Sequence, residues 1–137
     1  IMIDIDHFKQ INDNFGHDIG DDVLRFVARN LERALRASDV VCRYGGEEFL
    51  IIAPGAGLND AGKIAERIRV NIEKSNIKFK DMELKITISL GIATWPVCKA
   101  SNGYELVSGA DKALYFAKEH GRNQVILFDG QNFSKNV

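Results

Sequence analysis

Four carboxylates frame two short segments of this chain: Asp4 and Asp6 within IMIDID, and Glu47 and Glu48 directly after Gly45 and Gly46. If the two segments are neighbouring strands, the acids meet at one sheet edge. Hard oxygen donors of that kind suit Mg²⁺, which takes one or two protein carboxylates and completes its octahedron with phosphate oxygens and water. Adjacent strand residues point to opposite faces, so Glu47 and Glu48 need not serve the same ion. A plainer reading stands beside this one, with Asp6 capping a helix and the two glutamates as solvated hairpin charges. After Asp6, the backbone amides of His7 and Phe8 fall in the first turn of an expected helix, where free donors and the helix dipole attract phosphate, and Lys9 adds a full positive charge. Lys118 and Arg122 flank a helix end near Gly121. They can neutralise outer phosphates if the final strand brings them close, and otherwise read as ordinary helix-end cations. The run NDNFGHDIGD from Asn12 to Asp21 offers Asn and Asp acceptors around two glycines. A buried carboxylate there can accept from N1–H and the 2-amino group of guanine, donors that adenine lacks. A helix–loop–helix turn with capping side chains explains the same letters.

The elements that must position these groups follow from periodicity. Residues 1–5 read as a buried strand, with Asp6 as N-cap of a short helix from about His7 to Phe15. A longer helix from Asp18 carries Val23, Phe26, Val27, Leu31, Ala34 and Leu35 on one stripe. Asp39–Tyr44 and Glu47–Ala53 are strand-like runs separated by Gly45 and Gly46, a two-residue hairpin signal. Leu58, Ala61, Ile64, Ala65, Ile68 and Ile72 define another amphipathic helix. Leu84, Ile86, Ile88, Leu90 and Ile92 alternate with smaller or polar residues, which predicts one long half-buried strand ending before Pro96. A helix over Tyr104–Glu119 stops at Gly121, Gln124–Phe128 form a last strand, and the polar tail after Asp129 is expected to fray. Strands mixed with helices indicate an α/β fold with a central mixed β-sheet flanked by helices.

Bulk properties narrow the function classes. The 137 residues, 45% hydrophobic and 27% charged, suffice for one core, so the chain reads as a single soluble domain. A net charge of −1, from 18 Lys and Arg against 19 Asp and Glu, favours neither nucleic acid nor membrane contact. Cys42 and Cys98 lie in separate segments without metal-ligand spacing, which fits reduced thiols in a cytoplasmic setting. No apolar run reaches the roughly 20 residues that a membrane helix needs, a property compatible with a parent protein anchored through upstream segments.

Taken together, IDIDHFKQINDNFGHDIGD, RYGGEEF, ITISLGIA and ADKALYFAKEHGRN resemble the GGDEF family of diguanylate cyclases, in the family's order and over nearly the whole chain, with Gly45-Gly46-Glu47-Glu48-Phe49 as the GGEEF form of its signature. The resemblance implies a nucleotidyl cyclase and polymerase-palm-like fold with a ferredoxin-like core. It implies condensation of two GTP into cyclic di-GMP, with Mg²⁺, or Mn²⁺ in its place, held by Asp4, Glu47 and the backbone carbonyl of Ile5. Glu48 then joins the metal site or activates the 3′-hydroxyl, and Lys9 counts with Glu47 and Glu48 among the catalytic residues. Asn12 and Asp21 contact guanine, while Lys9, Lys118 and Arg122 hold phosphates together with the His7 and Phe8 amides. Because each chain binds one GTP, the resemblance also implies a homodimer. Arg36-Ala-Ser-Asp39 matches the family's RxxD product-inhibition site, and Arg67 a secondary inhibitory position. Family domains begin with a helix and a DxLTGLxNR-like segment that does not precede Ile1 here. The expectation is therefore a single catalytic domain over residues 1–137 without that helix or an upstream sensory domain. A non-catalytic receptor for GTP or cyclic di-GMP is the alternative, although degenerate relatives usually lose signature acids or glycines that are intact here.

Overall fold

The computed structural model describes residues 1–136 and places the first apolar run at the centre of the molecule. Strand β1 (Met2–Ile5) is buried along its whole length. It pairs antiparallel on one side with β3 (Glu48–Ile52) and on the other with β6 (Ile88–Ala93). With β2 (Val40–Arg43), β7 (Val125–Phe128) and β8 (Phe133–Lys135) these strands form one mixed sheet in the order β2-β3-β1-β6-β7-β8, in which, among the described residues, only β6 and β7 run parallel. Helices α1 (Phe8–Phe15), α2 (His17–Ala34), α3 (Leu58–Lys74) and α4 (Gly103–Glu119) cover the sheet, as the sequence predicts.

The period of two along the strands decides which residues face which helices. Ile3, Ile5, Phe49, Ile51, Ile88, Leu90 and Ile92 enter the large core with Val23, Val27 and Leu31 of α2 and Ala65, Ile68 and Ile72 of α3. Met2, Leu50 and Ala93 pack instead with Ala110 and Leu114 of α4. Asp4 shares a face with Met2, and Glu48 with Leu50, so both acids belong to the α4 side of the sheet.

Four sequence expectations need correction. The glycine pair is not a two-residue hairpin. Such a turn needs left-handed backbone at its central residues, and neither Gly45 nor Gly46 adopts it. Instead Tyr44 N–H reaches the Glu48 carbonyl at 2.8 Å, and the Arg43 side chain donates to the carbonyls of Gly45 at 3.2 Å and Gly46 at 2.7 Å, so the connection runs through Gly45, Gly46 and Glu47. The long alternating strand is two strands: Met82–Leu84 (β5) forms a separate hairpin with Ile77–Phe79 (β4), and β6 starts at Ile88. Nor is β6 half-buried, since its smaller residues Ser89, Gly91 and Ala93 are buried beneath α4. The tail does not simply fray, because β8 pairs antiparallel with β7. Finally, Asp6 caps no helix; His7 takes the N-cap position of α1, with left-handed backbone and no side-chain cap. Helix α4, by contrast, has a reciprocal cap: Asn102 Oδ1 accepts from Glu105 N–H at 3.0 Å while the Glu105 carboxylate accepts from Ser101 N–H at 2.8 Å.

Gly91 allows α4 to lie directly on β6. A Cβ there would overlap the Leu114 amide nitrogen and the Ala110 carbonyl oxygen, both backbone atoms. Gly91→Ala is expected to cost about 1–3 kcal/mol by forcing the helix off the strand. Gly103→Ala, where an added Cβ meets open space, should change stability by no more than about 0.5 kcal/mol. Urea unfolding of the two variants measures the contrast.

Candidate active site

The register of β1 against β3 sets Asp4 directly opposite Glu48, and the Ile5 amide donates to the Glu47 carbonyl at 3.3 Å. Acids more than forty positions apart in the chain are thereby gathered at one end of the central strand. Asp4 is 3% exposed. Burial pushes its carboxyl up to about 6 against the pull of Lys118, and the neighbouring Glu47 and Glu48 charges push the same way as burial. Lys118, near the end of α4, meets Asp4 Oδ2 at 3.1 Å. The helix that packs on Gly91 therefore delivers its cation to the acid edge.

This donor set fits a hard divalent ion. It offers only oxygens, carries more negative charge than the one ammonium balances, and is partly desolvated at Asp4. Among the described residues no three Asp, Glu, His or Cys side chains form a ready-made cage. Two carboxylates and a carbonyl that leave other positions to phosphate and water are the pattern expected of Mg²⁺.

Next to the acid edge, α1 presents its N-terminus. Its first backbone hydrogen bond runs from Ile11 N–H to the His7 carbonyl at 3.2 Å, and among the described residues no backbone acceptor takes the His7 or Phe8 amide. Phe8 buries its ring at 7% exposure, which anchors the turn, and Lys9 stands exposed beside it. One turn further, Asn12 Oδ1 is buried without any hydrogen-bond partner. Gly20 of α2 makes the room for it, since a Cβ there would overlap that oxygen. An unpaired buried acceptor costs about 1–3 kcal/mol, a cost that a ligand donor would remove. Asp21 follows on α2 and is exposed, so the buried acceptor in this segment is the Asn12 amide oxygen and not the carboxylate that the sequence suggests.

Asp6, expected as a cap, is instead a buried hub at 4% exposure. It accepts from Ser89 Oγ at 2.7 Å, Thr87 Oγ1 at 2.7 Å and the Asn123 backbone N–H at 3.0 Å. Sequence reasoning missed these partners. The available signal was two hydroxyl residues, Thr87 and Ser89, at strand spacing within an otherwise apolar segment. The Asn123 bond brings the α4–β7 turn, and with it Arg122, to the end of β1.

Arg36, Asp39 and Arg67 gather elsewhere. Asp39 accepts from Arg36 N–H at 2.9 Å in a tight turn, and the Arg67 guanidinium on α3 donates to the Ala34 carbonyl at 2.6 Å. This cluster sits at the opposite end of β2 from the glycine turn, with the four-residue strand, about 13 Å at ~3.3 Å per residue, between them.

The chain matches the family described as "Diguanylate cyclase, GGDEF domain" over residues 1–124. It is 46% identical over 128 residues to the response regulator PleD of Caulobacter vibrioides, covering 92% of this chain and 28% of that protein. It is 41% identical over 127 residues to diguanylate cyclase A of Treponema denticola, covering 93% of this chain and 34% of that protein. The chain thus spans about a third or less of the length of these curated relatives. Among solved structures, the GGDEF domain of DgcB from Caulobacter crescentus, in complex with c-di-GMP, superposes with a TM-score of 0.85 at 36% identity over 92% of this chain and 74% of that one. A match over nearly the whole sequence, to relatives of this identity, on the same mixed sheet, establishes that the chain belongs to the GGDEF domain family of diguanylate cyclases.

Proposed function

We propose that this domain condenses two GTP molecules into cyclic di-GMP, releasing two pyrophosphates. The observation that carries the reading is the convergence of Asp4, Glu47 and Glu48 at one end of β1, with Lys118 3.1 Å from Asp4. Asp4, Glu47 and the Ile5 carbonyl would hold Mg²⁺ or Mn²⁺, which when bound neutralises charge at the α-phosphate and polarises the attacking hydroxyl. Lys9, Lys118 and Arg122, with the free His7 and Phe8 amides, orient the triphosphate and offset its charge, the main task of a protein in phosphoryl-type displacements. Asn12 and Asp21 take the guanine edge; the orphaned Asn12 oxygen supports this, because a base with N–H groups would give that buried acceptor a donor. Glu48 accepts the proton of the 3′-hydroxyl as that oxygen attacks the α-phosphate of the second GTP and the bond to pyrophosphate breaks.

Each domain binds one nucleotide, so a second copy must present the other GTP, and the active species is a homodimer. An open cleft of about 840 Å³ that Glu48 shares with Tyr44, Asn102 and Tyr104 leaves room for that approach. Arg36, Asp39 and Arg67 form a separate product site whose occupancy by cyclic di-GMP slows the dimer. Its support is the shared position of the three residues at the α2 C-terminus, with cation and acceptor chemistry suited to phosphate and guanine. The reaction belongs in the cytoplasm: Cys42 and Cys98 are free thiols, and no helix among the described residues is long and apolar enough to cross a membrane.

Incubation of the domain with GTP and Mg²⁺, followed by nucleotide chromatography, should yield cyclic di-GMP and pyrophosphate, and Glu48→Gln should lower that rate about 10²-fold or more with the fold retained. Unchanged GTP from the parent chain would instead identify a receptor, and an unaltered rate in the variant would remove Glu48 from the chemistry. Asp21→Ala should reduce the preference for GTP over ATP about tenfold, corresponding to one hydrogen bond to a charged acceptor; competition binding of the two nucleotides reads the ratio. Arg36→Ala should raise the inhibition constant of cyclic di-GMP about tenfold or more at unchanged initial rate, as read from progress curves with added product.

A further inference from the structure

Asp6 belongs to none of the metal, phosphate or base contacts above, yet both of its oxygens are committed. Oδ1 accepts from Ser89 Oγ at 2.7 Å, and Oδ2 accepts from Thr87 Oγ1 at 2.7 Å and from the Asn123 backbone N–H at 3.0 Å. The two hydroxyls can rotate to other partners, but the Asn123 amide can only donate. That amide closes an unusual turn: Gly121, Arg122 and Asn123 have φ of 109°, 60° and 45°. Consecutive left-handed residues, two of them not glycine, persist only where their surroundings over-determine them.

Four neighbours do so here. Beneath the turn lies Asp6. On its outer side, Asn123 Nδ2 donates to Glu73 Oε1 at 2.7 Å, and its Oδ1 accepts from Arg69 at 2.7 Å. The Arg122 amide itself donates to the Ala117 carbonyl at 2.9 Å. Arg122 consequently sits between two residues tied to the same strand end, with Lys118 bonded to Asp4 and Asn123 bonded to Asp6.

We infer that Asp6 is a positioning residue for triphosphate recognition: it fixes the left-handed Gly121–Asn123 turn that presents Arg122 to the nucleotide. The inference rests on the proposed reading in which Arg122 contacts phosphate. Asp6 does not touch GTP; it determines where Arg122 can stand.

A double-mutant cycle separates this role from general support of the fold. The affinity of a non-hydrolysable GTP analogue, with Mg²⁺ present, is measured by calorimetry for the parent chain, Asp6→Ala, Arg122→Ala and the double variant. Each single change is expected to weaken binding about tenfold, the scale of one lost charged contact, and the double variant also by about tenfold, because one pathway is broken twice. Asp6→Asn should recover affinity to within about threefold, since its amide oxygen still accepts from the Asn123 N–H while its amide donates to Ser89. Additive losses near a hundredfold in the double variant, or full affinity in Asp6→Ala, would overturn the inference. Should Asp6→Ala not fold, Asp6→Glu takes its place in the cycle, where a displaced carboxylate shifts the same turn and the same non-additivity is expected. Failure of the underlying reading looks different: Arg122→Ala alone then binds like the parent chain, which removes the inference along with it.

Discussion

The register between the first and third strands is the constraint on which the rest of the site depends. Asp4 faces Glu48 across that pair, and the Ile5 amide reaches the Glu47 carbonyl. A slip by one residue would turn Asp4 into the α2–α3 core and swing an isoleucine toward α4. The hydrophobic faces forbid it: Ile3 and Ile5 are fully buried on one side and Met2 on the other. The apolar residues of β1 thus hold charged groups in place without touching a ligand. Like charges gathered in this way repel one another and resist desolvation, as the raised Asp4 carboxyl shows. Their assembly is tolerable because the Lys118 ammonium lies against Asp4.

Helix α4 couples packing to electrostatics. It approaches β6 at backbone distance over Gly91, and its buried face is built from Gly109, Ala110, Ala113, Leu114 and Ala117. Small residues on both surfaces bring the helix axis close, and that closeness lets a lysine side chain at position 118 span to Asp4. A bulkier interface would move the ammonium outward with no change in any charged residue. The turn after α4 is tied to the end of β1 a second time through Asn123 and Asp6, so one helix and its exit are referenced to one acid within the strand and one just past it.

Much of this was legible in the sequence. The acids at the two strand ends, the amphipathic stripes of α2 and α3 and the inward face of α4 all follow from period and composition, and the ordered motifs carried the family. What escaped depended on long-range contacts. Asp6 followed by a helix reads as a cap, and only coordinates reveal that β6 and the α4–β7 turn claim its oxygens first. The alternation from Leu84 to Ile92 signals one half-buried strand, because periodicity cannot distinguish a polar face in water from a small-residue face beneath a helix. Gly45-Gly46 resembles a tight turn until Arg43 is seen to take both carbonyls. The buried oxygen of Asn12 is visible in no pattern at all, since its isolation depends on where Gly20 of the next helix passes.

The Arg43 contacts have a consequence for the energetics of recognition. A loop of two glycines would ordinarily be the floppiest stretch of a domain, and ordering it around a ligand would tax affinity by the entropy lost. Here the guanidinium bridges both glycine carbonyls while the chain folds, so that loss belongs to folding and not to any later encounter with a ligand. Gly45 can then leave to the Glu48 carboxylate the space that a Cβ would take, without leaving the backbone free to wander.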